Sequence, residues 1–200
     1  MDTKPNIWFT ADLHFGHGNM LKHEPVARPY KTKEEMDAAM IRDWNGRVQP
    51  TDRVWVLGDL FCFCHKSYAI NIRKQLNGII WLVRGNHDEW SDTWYQEQSI
   101  CVMDSPQPYK LGQGSIEVPV LLSHYPYKPN ILKQLGYWLE DKKMLRHLER
   151  SPEDEGLPLL HGHVHSRWER KENMFNVGID IHHAPISLRQ VNYAFGIRIR

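Results

Sequence analysis

The stretch from residue 53 to residue 88, RVWVLGDLFCFCHKSYAINIRKQLNGIIWLVRGNHD, decides the fold. Residues 53–57 and 79–83 are two short apolar runs rich in valine, isoleucine and tryptophan, which favour buried strands. Between them, residues 68–76 are predicted to form a helix that ends at Asn77-Gly78. A strand, a helix and a strand in this order indicate an α/β fold with strands buried on both faces.

The flanking segments extend this pattern on both sides. A first strand is predicted over residues 6–10, and a short helix over residues 90–98. Residues 32–48 are predicted as a helix, because Thr32 and Glu35 fit a capping box and apolar residues then recur at helical spacing. The second half is predicted to be rich in strands, at residues 100–104, 115–123, 157–160, 174–179 and 191–199. Pro119 implies that its strand is an edge or begins after the proline.

Polar side chains follow the predicted strands. They are Asp12 and His14, Asp59, the run Asn86-His87-Asp88, His124, and the pair His163 and His165. Ligands of α/β sheets bind beyond the carboxyl ends of the strands, so these groups are expected to meet in space. Residues i and i+2 of an extended chain point the same way, which predicts that Asp12 and His14 share one point.

Carboxylate, amide and imidazole groups are the ligands that divalent transition metals take in proteins. Two divalent ions, two aspartates and a hydroxide between the ions leave such a site positively charged overall. A positive site favours an anionic phosphate and the charge that develops on its oxygens during reaction. The residues therefore predict a dinuclear metal site for phosphate ester hydrolysis.

The order of the motifs resembles the calcineurin-like metallophosphoesterases. The motifs are Asp-x-His, Gly-Asp, Gly-Asn-His-Asp, a lone histidine after a strand and Gly-His-x-His, over residues 12–165. The first motif, residues 12–17, is similar to that of a small, single-domain bacterial or phage-type branch. The resemblance implies one metallophosphoesterase domain over residues 1–200. It also implies an α/β fold of two mixed β-sheets packed as a sandwich and flanked by helices.

The resemblance also implies roles for individual residues. One ion would be held by Asp12, His14, Asp59 and His165, and the other by Asp59, Asn86, His124 and His163. Asp59 would thus bridge two ions, with Mn²⁺ favoured and Fe or Zn as alternatives. A hydroxide bridging the ions would attack phosphorus, and His87 would protonate the leaving oxygen while Asp88 orients His87. Cys62 stands where many members have an acidic residue, which leaves the support of Asp59 open.

Further residues near the motifs are expected to contact substrate. His17, Arg28 and Arg84 are proposed to bind the phosphate ester, with loop packing for His17 and exposed, idle arginines as the alternatives. Residues 125–150 directly follow a ligand histidine. They are interpreted either as an insertion that faces the substrate or as a surface helix and loop.

The favoured function is that of a phosphodiesterase on a small, nucleotide-like ester. A phosphomonoesterase or protein phosphatase that uses the same site is the alternative. A non-catalytic scaffold is less favoured, because all seven inferred metal ligands and His87 are present.

Composition excludes other classes. The net charge of +1 gives no reason to expect nucleic acid or a membrane surface as partner, and the oligomeric state is left open. Three cysteines do not suggest a disulfide framework. A signal peptide or membrane-spanning run is not apparent in the sequence, so the protein is expected to be soluble and cytoplasmic.

Overall fold

The computed structural model describes residues 4–113, 116–129 and 147–197. Two five-stranded sheets pack face to face. Their strands are β1 (Ile7–Thr10), β2 (Arg53–Leu57), β3 (Ile79–Val83), β4 (Ile100–Met103), β5 (Gln107–Gln113), β6 (Ile116–Leu122), β7 (Leu159–His161), β8 (Arg170–Lys171), β9 (Met174–Asn176) and β10 (Ile186–Ser187). The first sheet has the order β10-β1-β2-β3-β4 and the second the order β5-β6-β7-β9-β8. Both sheets are mixed, which confirms the predicted fold class.

Helices flank the sheets. They are α1 (Met20–His23), α2 (Lys33–Asn45), α3 (Lys66–Arg73), α4 (Asp92–Glu97), α5 (Ile179–His182) and α6 (Leu188–Ala194), as far as the described residues go. Within those same residues, no helix is both long and apolar enough to cross a bilayer. Most of the insertion predicted at residues 125–150 lies outside the described part of the chain.

The side chains of β2 alternate between two cores. Val54 and Val56 pack into the core under α2 and α3, whereas Trp55 and Leu57 pack into the core between the sheets. All four are buried, which is why this strand shows a continuous apolar run rather than alternation. Each fully buried side chain of this size contributes about 1.5–3 kcal/mol.

Helix α2 begins where the sequence predicts. The Thr32 side chain accepts a hydrogen bond from the Glu35 backbone N–H, and the Glu35 carboxylate reaches back to the N–H of Lys31. Asp37 is buried on the inner face of this helix. Its carboxylate accepts hydrogen bonds from the Gly16 N–H at 2.9 Å and the Tyr68 hydroxyl at 2.7 Å. It therefore ties the loop after β1 to α2 and α3.

The second sheet contains a strand that the sequence pattern does not reveal. β5 pairs with β6 antiparallel along seven positions, although Pro106, Pro108 and Gly112 interrupt its apolar pattern. β6 begins before Pro119, which pairs with Lys110 of β5. On its other side, β6 pairs with β7 only at Leu121 and Leu122. Pro119 thus lies where β6 is an edge, as one of the two alternatives predicted.

The strand predicted over residues 191–199 is wrong over its described part, because α6 lies there. Ser187 and Gln190 form a capping box, in which each side chain accepts a hydrogen bond from the backbone N–H of the other. Val191 is buried against the core between the sheets. The apolar residues of this segment therefore pack at helical spacing, and the cap fixes where the helix begins.

Asp52 ties the start of β1 to the turn before β2. Its carboxylate accepts hydrogen bonds from the N–H of Asn6 at 2.8 Å, the indole of Trp8 at 2.9 Å and the N–H of Gln49 at 2.9 Å. Burial alone would raise the pKa of Asp52, but these hydrogen bonds outweigh burial and hold the pKa below its ordinary value of 3.8. The stabilisation is therefore present above the unfolded-state pKa and is lost as pH falls.

We expect Asp52→Asn to lower the free energy of unfolding by about 1–3 kcal/mol at pH 7, because the new amide group faces N–H donors. Urea denaturation measures the change. Asp43→Asn, on the surface of α2, should change the free energy by no more than about 0.5 kcal/mol. The difference between Asp52→Asn and wild type should shrink as pH falls below 4. An unchanged urea midpoint at pH 7 would contradict this role of Asp52.

Candidate metal centre

The loops that follow β1, β2, β3, β6 and β7 meet at one edge of the two sheets. Backbone hydrogen bonds join them: the Asp12 N–H donates to the Gly58 carbonyl and the His14 N–H to the Asp59 carbonyl. Backbone hydrogen bonding also links the loops after β6 and β7. The seven predicted metal ligands lie on these loops, and hydrogen bonds, ion pairs or short donor distances connect them.

The backbone of this site is left-handed at five of the predicted ligands. Asp12, His14, Asp59, His163 and His165 have φ angles of 58°, 52°, 56°, 69° and 50°. The extended i, i+2 geometry predicted for the first motif is therefore wrong. The side chains converge because the chain kinks at these five residues, in a conformation that costs about 1–2 kcal/mol for a residue other than glycine.

One half of the site is formed by Asp12, His14 and His165, whose donor atoms lie within 4.8 Å of one another. The Nδ1 atom of His165 lies 2.7 Å from Oδ2 of Asp180, so Nδ1–H donates there and Nε2 is left as the nitrogen that can bind a metal. Asp180 is held in turn by the Nε–H of Arg28 at 2.6 Å. A carboxylate behind a histidine in this way fixes the tautomer that ligates metal.

The other half is centred on His124, which is fully buried. Its Nδ1 atom lies 2.9 Å from the Leu57 carbonyl and donates to it, which leaves the lone pair on Nε2. That nitrogen faces Oδ1 of Asn86 at 3.2 Å, Nδ1 of His163 at 3.1 Å and Oδ2 of Asp59 at 3.5 Å. Several lone-pair donors that face one another at these distances fit a cation between them.

Asp59 faces both halves at once. Its Oδ2 atom lies 3.4 Å from Nε2 of His14 and 3.5 Å from Nε2 of His124. Its Oδ1 atom accepts a hydrogen bond from the His87 backbone N–H at 2.9 Å. The carboxylate therefore has the position and the free lone pairs that a ligand shared by two cations requires.

Burial sets the charge state of the donors. It raises the pKa of Asp12 to about 7 and that of Asp59 above its ordinary value. It lowers the pKa of His124 to about 3 and that of His163 to about 2, so both imidazoles are neutral. Buried carboxylates that need a positive partner, beside neutral imidazoles with lone pairs to share, are the donor set of a metal site.

His14 and His165 behave differently from each other. Burial lowers the pKa of His14 well below its ordinary value, and neither of its ring nitrogens has a hydrogen-bond partner among the described residues. A buried imidazole of this kind fits a metal ligand. Burial also opposes the charging of His165, but Asp12 and Asp180 outweigh burial and raise the pKa of His165 to about 9.

Two glycines leave the room that the ligands occupy. A Cβ atom on Gly58, whose φ angle is +88°, would lie 2.3 Å from Nδ1 of His124. A Cβ atom on Gly85 would lie 2.1 Å from Oδ1 of Asp59. These distances are far below van der Waals contact, so the glycines that precede Asp59 and Asn86 are needed for the ligands to converge.

Asp88 has a different role from the one predicted. Its carboxylate accepts hydrogen bonds from the backbone N–H groups of Asp59 at 2.7 Å, Leu60 at 3.1 Å and Gly85 at 2.8 Å. The Tyr95 hydroxyl adds a fourth hydrogen bond at 3.3 Å. Because these donors occupy its lone pairs, Asp88 holds the backbone of Asp59 in place rather than orienting the His87 ring. It supplies the support for Asp59 that the sequence left open.

The arginines predicted to bind substrate are engaged elsewhere. Arg28 is buried, and its guanidinium donates to Asp180, to the carbonyls of Asp12 and Leu13, and to the sulfur of Met36. It has no donor left for a phosphate, so the predicted contact is wrong and Arg28 is a structural support.

Arg84 is half-buried and makes hydrogen bonds with the carbonyls of Asp88 and Trp90 and with the Asp92 carboxylate. Arg84 also lines a cleft beside Asn86, while its N–H groups hold the loop that contains Asp88 and Trp90. A phosphate contact at Arg84 stays a prediction.

His17 and His87 lie beside the first half of the site. The His87 ring is 5.3 Å from the His14 ring and 6.4 Å from the His17 ring, measured between centroids. Burial lowers the pKa of His17 to about 4, with His87 as the next contribution. All three histidines line one cleft with His165. His17 and His87 therefore have the position to contact substrate, and their roles stay predictions.

Some residues of the site were not found by sequence reasoning. Asp180 orients His165, and the Asn176 amide donates to the His165 carbonyl at 2.8 Å. The His147 ring lies 5.7 Å from the His163 ring. Asp180 follows a predicted strand end, as the ligands do, and this was its only signal in the sequence. His161 is buried against Trp168.

The sequence matches the model of the calcineurin-like phosphoesterase family over residues 5–198, and the chain belongs to that family. The Gene 66 protein of Mycobacterium phage D29 is 29% identical over 212 residues, which cover 93% of this chain and 94% of that protein. The Gene 66 protein of Mycobacterium phage L5 is 29% identical over 174 residues, with 80% and 78% covered. The structure of protein AQ665 from Aquifex aeolicus has a TM-score of 0.64 at 25% identity and covers 96% of this chain and 100% of that one.

We expect Asp180→Asn to weaken the affinity for divalent metal about 10- to 100-fold, because His165 loses the carboxylate that fixes its tautomer. Competition with a chromophoric chelator measures the affinity. Asp104→Asn, which changes an exposed carboxylate, is the control and should leave the affinity unchanged. Equal affinities for Asp180→Asn and wild type, with both folded by circular dichroism, would contradict a role of Asp180 in the site.

Proposed function

We propose that the protein is a phosphodiesterase that uses two divalent cations, with Mn²⁺ as the favoured metal. The observation that carries this proposal is the position of Asp59, whose Oδ2 atom is 3.4 Å from His14 Nε2 and 3.5 Å from His124 Nε2. One carboxylate oxygen between two sets of nitrogen donors is the arrangement that a pair of bridged cations requires.

The residues divide into two sets of ligands. Asp12, His14, His165 and the shared Asp59 would hold one cation, and Asn86, His124, His163 and the same Asp59 would hold the other. When bound, such cations supply Lewis acidity toward the phosphate oxygens and activate water as a nucleophile. Asn86 contributes a neutral ligand, which keeps the site positive toward an anionic ester.

His87 is proposed as the group that donates a proton to the leaving oxygen. Its imidazole has a donor atom within 4.8 Å of donor atoms of His14 and Asp59, and it lines the cleft beside them. A protonated imidazole there would transfer its proton as the ester P–O bond breaks, so that the product leaves as an alcohol. The backbone N–H of His87 donates a hydrogen bond to the Asp59 carboxylate, which holds this loop in place beside the site.

Two clefts that reach the site favour a diester over a monoester. One cleft is lined by His14, His87 and His165, and the other by Arg84, Asn86 and Tyr125 together with residues 149–152. A phosphodiester carries two organic arms, and each cleft has room for one of them. A monoester would use only one cleft.

Hydrolysis of bis-p-nitrophenyl phosphate and p-nitrophenyl phosphate by the Mn²⁺-loaded protein tests this preference. We expect a higher kcat/KM for the diester. A higher kcat/KM for the monoester would favour the phosphomonoesterase alternative. No turnover of either ester, with two metal ions shown to be bound, would contradict a hydrolase and favour a scaffold.

We expect His87→Ala to keep its metal and to lose about 10²- to 10⁴-fold in kcat on a diester with an alkyl leaving group. The loss should be much smaller on a p-nitrophenyl ester, because that leaving group needs little help from an acid. His65→Ala, which changes an exposed histidine on another loop, is the control. Equal losses on both esters, or loss of metal, would exclude His87 as the proton donor.

A further inference from the structure

Phe63 is an exposed aromatic residue in a strained conformation at the mouth of the cleft. Its side chain is 78% exposed, and it is one of a few large apolar residues of the described chain at the surface. Its φ angle is 49°, in the left-handed region that bulky residues rarely adopt. Backbone strain of this kind clusters at functional sites, and an exposed phenylalanine gains nothing from burial that would offset the strain.

The neighbours of Phe63 hold it in this position. Cys62 is buried, and its N–H donates to the Phe15 carbonyl at 3.1 Å. Cys64 is half-buried and packs so closely on Gly16 that a Cβ atom there would lie 2.5 Å from the Cβ atom of Cys64. The chain is therefore anchored on both sides of Phe63, and the phenyl ring must project into solvent.

The ring projects beside the proposed proton donor. Its centroid lies 5.4 Å from that of His87 and 4.7 Å from that of His17, in edge-on arrangements. All three side chains line the same cleft as His14 and His165. Phe63 thus lies on the leaving-group side of the site, within the reach of one substituent of a phosphate ester.

We infer that Phe63 is the stacking platform for a nucleobase of the substrate, which makes the substrate a nucleoside phosphodiester. This inference rests on the proposed function and names its substrate class. Any planar nucleobase can stack on an exposed phenyl face, because every base has a π-face. An alkyl or sugar substituent gains less binding free energy from contact with a flat ring. Asn19, which lines the same cleft and is exposed, offers an amide edge to the polar rim of a base.

Direct binding separates the base from the phosphate. The probes are adenosine 5′-monophosphate and ribose 5-phosphate, which share the sugar phosphate and differ by the base. Isothermal titration calorimetry on the Mn²⁺-loaded protein should show the nucleotide binding about 10- to 100-fold more tightly than ribose 5-phosphate. In Phe63→Ala this ratio should fall toward one, through loss of nucleotide affinity alone. In Phe63→Trp it should be kept or increased.

Tyr193→Ala is the matched control, because it removes an exposed aromatic side chain outside this cleft. It should leave both affinities unchanged. An unchanged ratio in Phe63→Ala, an equal loss for both probes, or no binding of the nucleotide to wild type would overturn the inference. Sedimentation of wild type and of Phe63→Ala measures the oligomeric state of each. A wild-type dimer that Phe63→Ala converts to monomers at an unchanged ratio would assign the ring to a subunit contact and overturn it as well.

The outcomes also distinguish this inference from the proposed function. Turnover of a diester together with an unchanged binding ratio would overturn the role of Phe63 and leave the hydrolase intact. A ratio that depends on Phe63 in a protein without turnover would support the nucleotide site and overturn the hydrolase.

Discussion

The structure depends on holding one buried carboxylate, that of Asp59, between two groups of imidazoles. Burial raises the pKa of this carboxyl group, so the protein must favour its ionised form by other means. The backbone N–H of His87 donates a hydrogen bond to Oδ1 of Asp59. The Asp88 carboxylate accepts hydrogen bonds from the backbone N–H groups of Asp59 and Leu60. The other oxygen stays free to face both halves of the site. Gly58 and Gly85 leave the room that His124 and Asp59 occupy. The left-handed backbone at five of the predicted ligands lets their side chains converge around this carboxylate.

The sequence predicts the strands that carry the site better than the residues that hydrogen-bond to the predicted ligands. β2 and β3 were predicted at their observed bounds, because apolar residues dominate each strand and most of them are buried. The motif order predicted the family, and the match to the family model over residues 5–198 confirms it. Asp180 was missed because Arg28 is 152 residues away, and tertiary contact alone pairs them. The capping box at Ser187 signals α6, but the apolar run that follows it was interpreted as a strand. The i, i+2 spacing of Asp12 and His14 predicted an extended chain, which is wrong because the backbone is left-handed at both residues.

Six of the ten residues other than glycine with positive φ in the described chain lie at this one edge of the molecule. Five ligands and Phe63 adopt left-handed backbone conformations, and the hydrogen bonds between loops hold them there. The cores beneath are apolar and fully buried, so they supply the stability against which such strain can be held. The proposed hydrolase thus has polar loops that lie on well-packed apolar cores, with one exposed aromatic ring beside the proposed proton donor.

The most direct measurement is a crystal structure of the Mn²⁺-loaded protein with anomalous scattering recorded for manganese. Two anomalous peaks are expected, with the Asp59 carboxylate between them. His14 and His165 should be on one side and His124 and His163 on the other. A single peak, or two peaks that Asp59 does not join, would contradict the shared carboxylate from which the proposed chemistry follows.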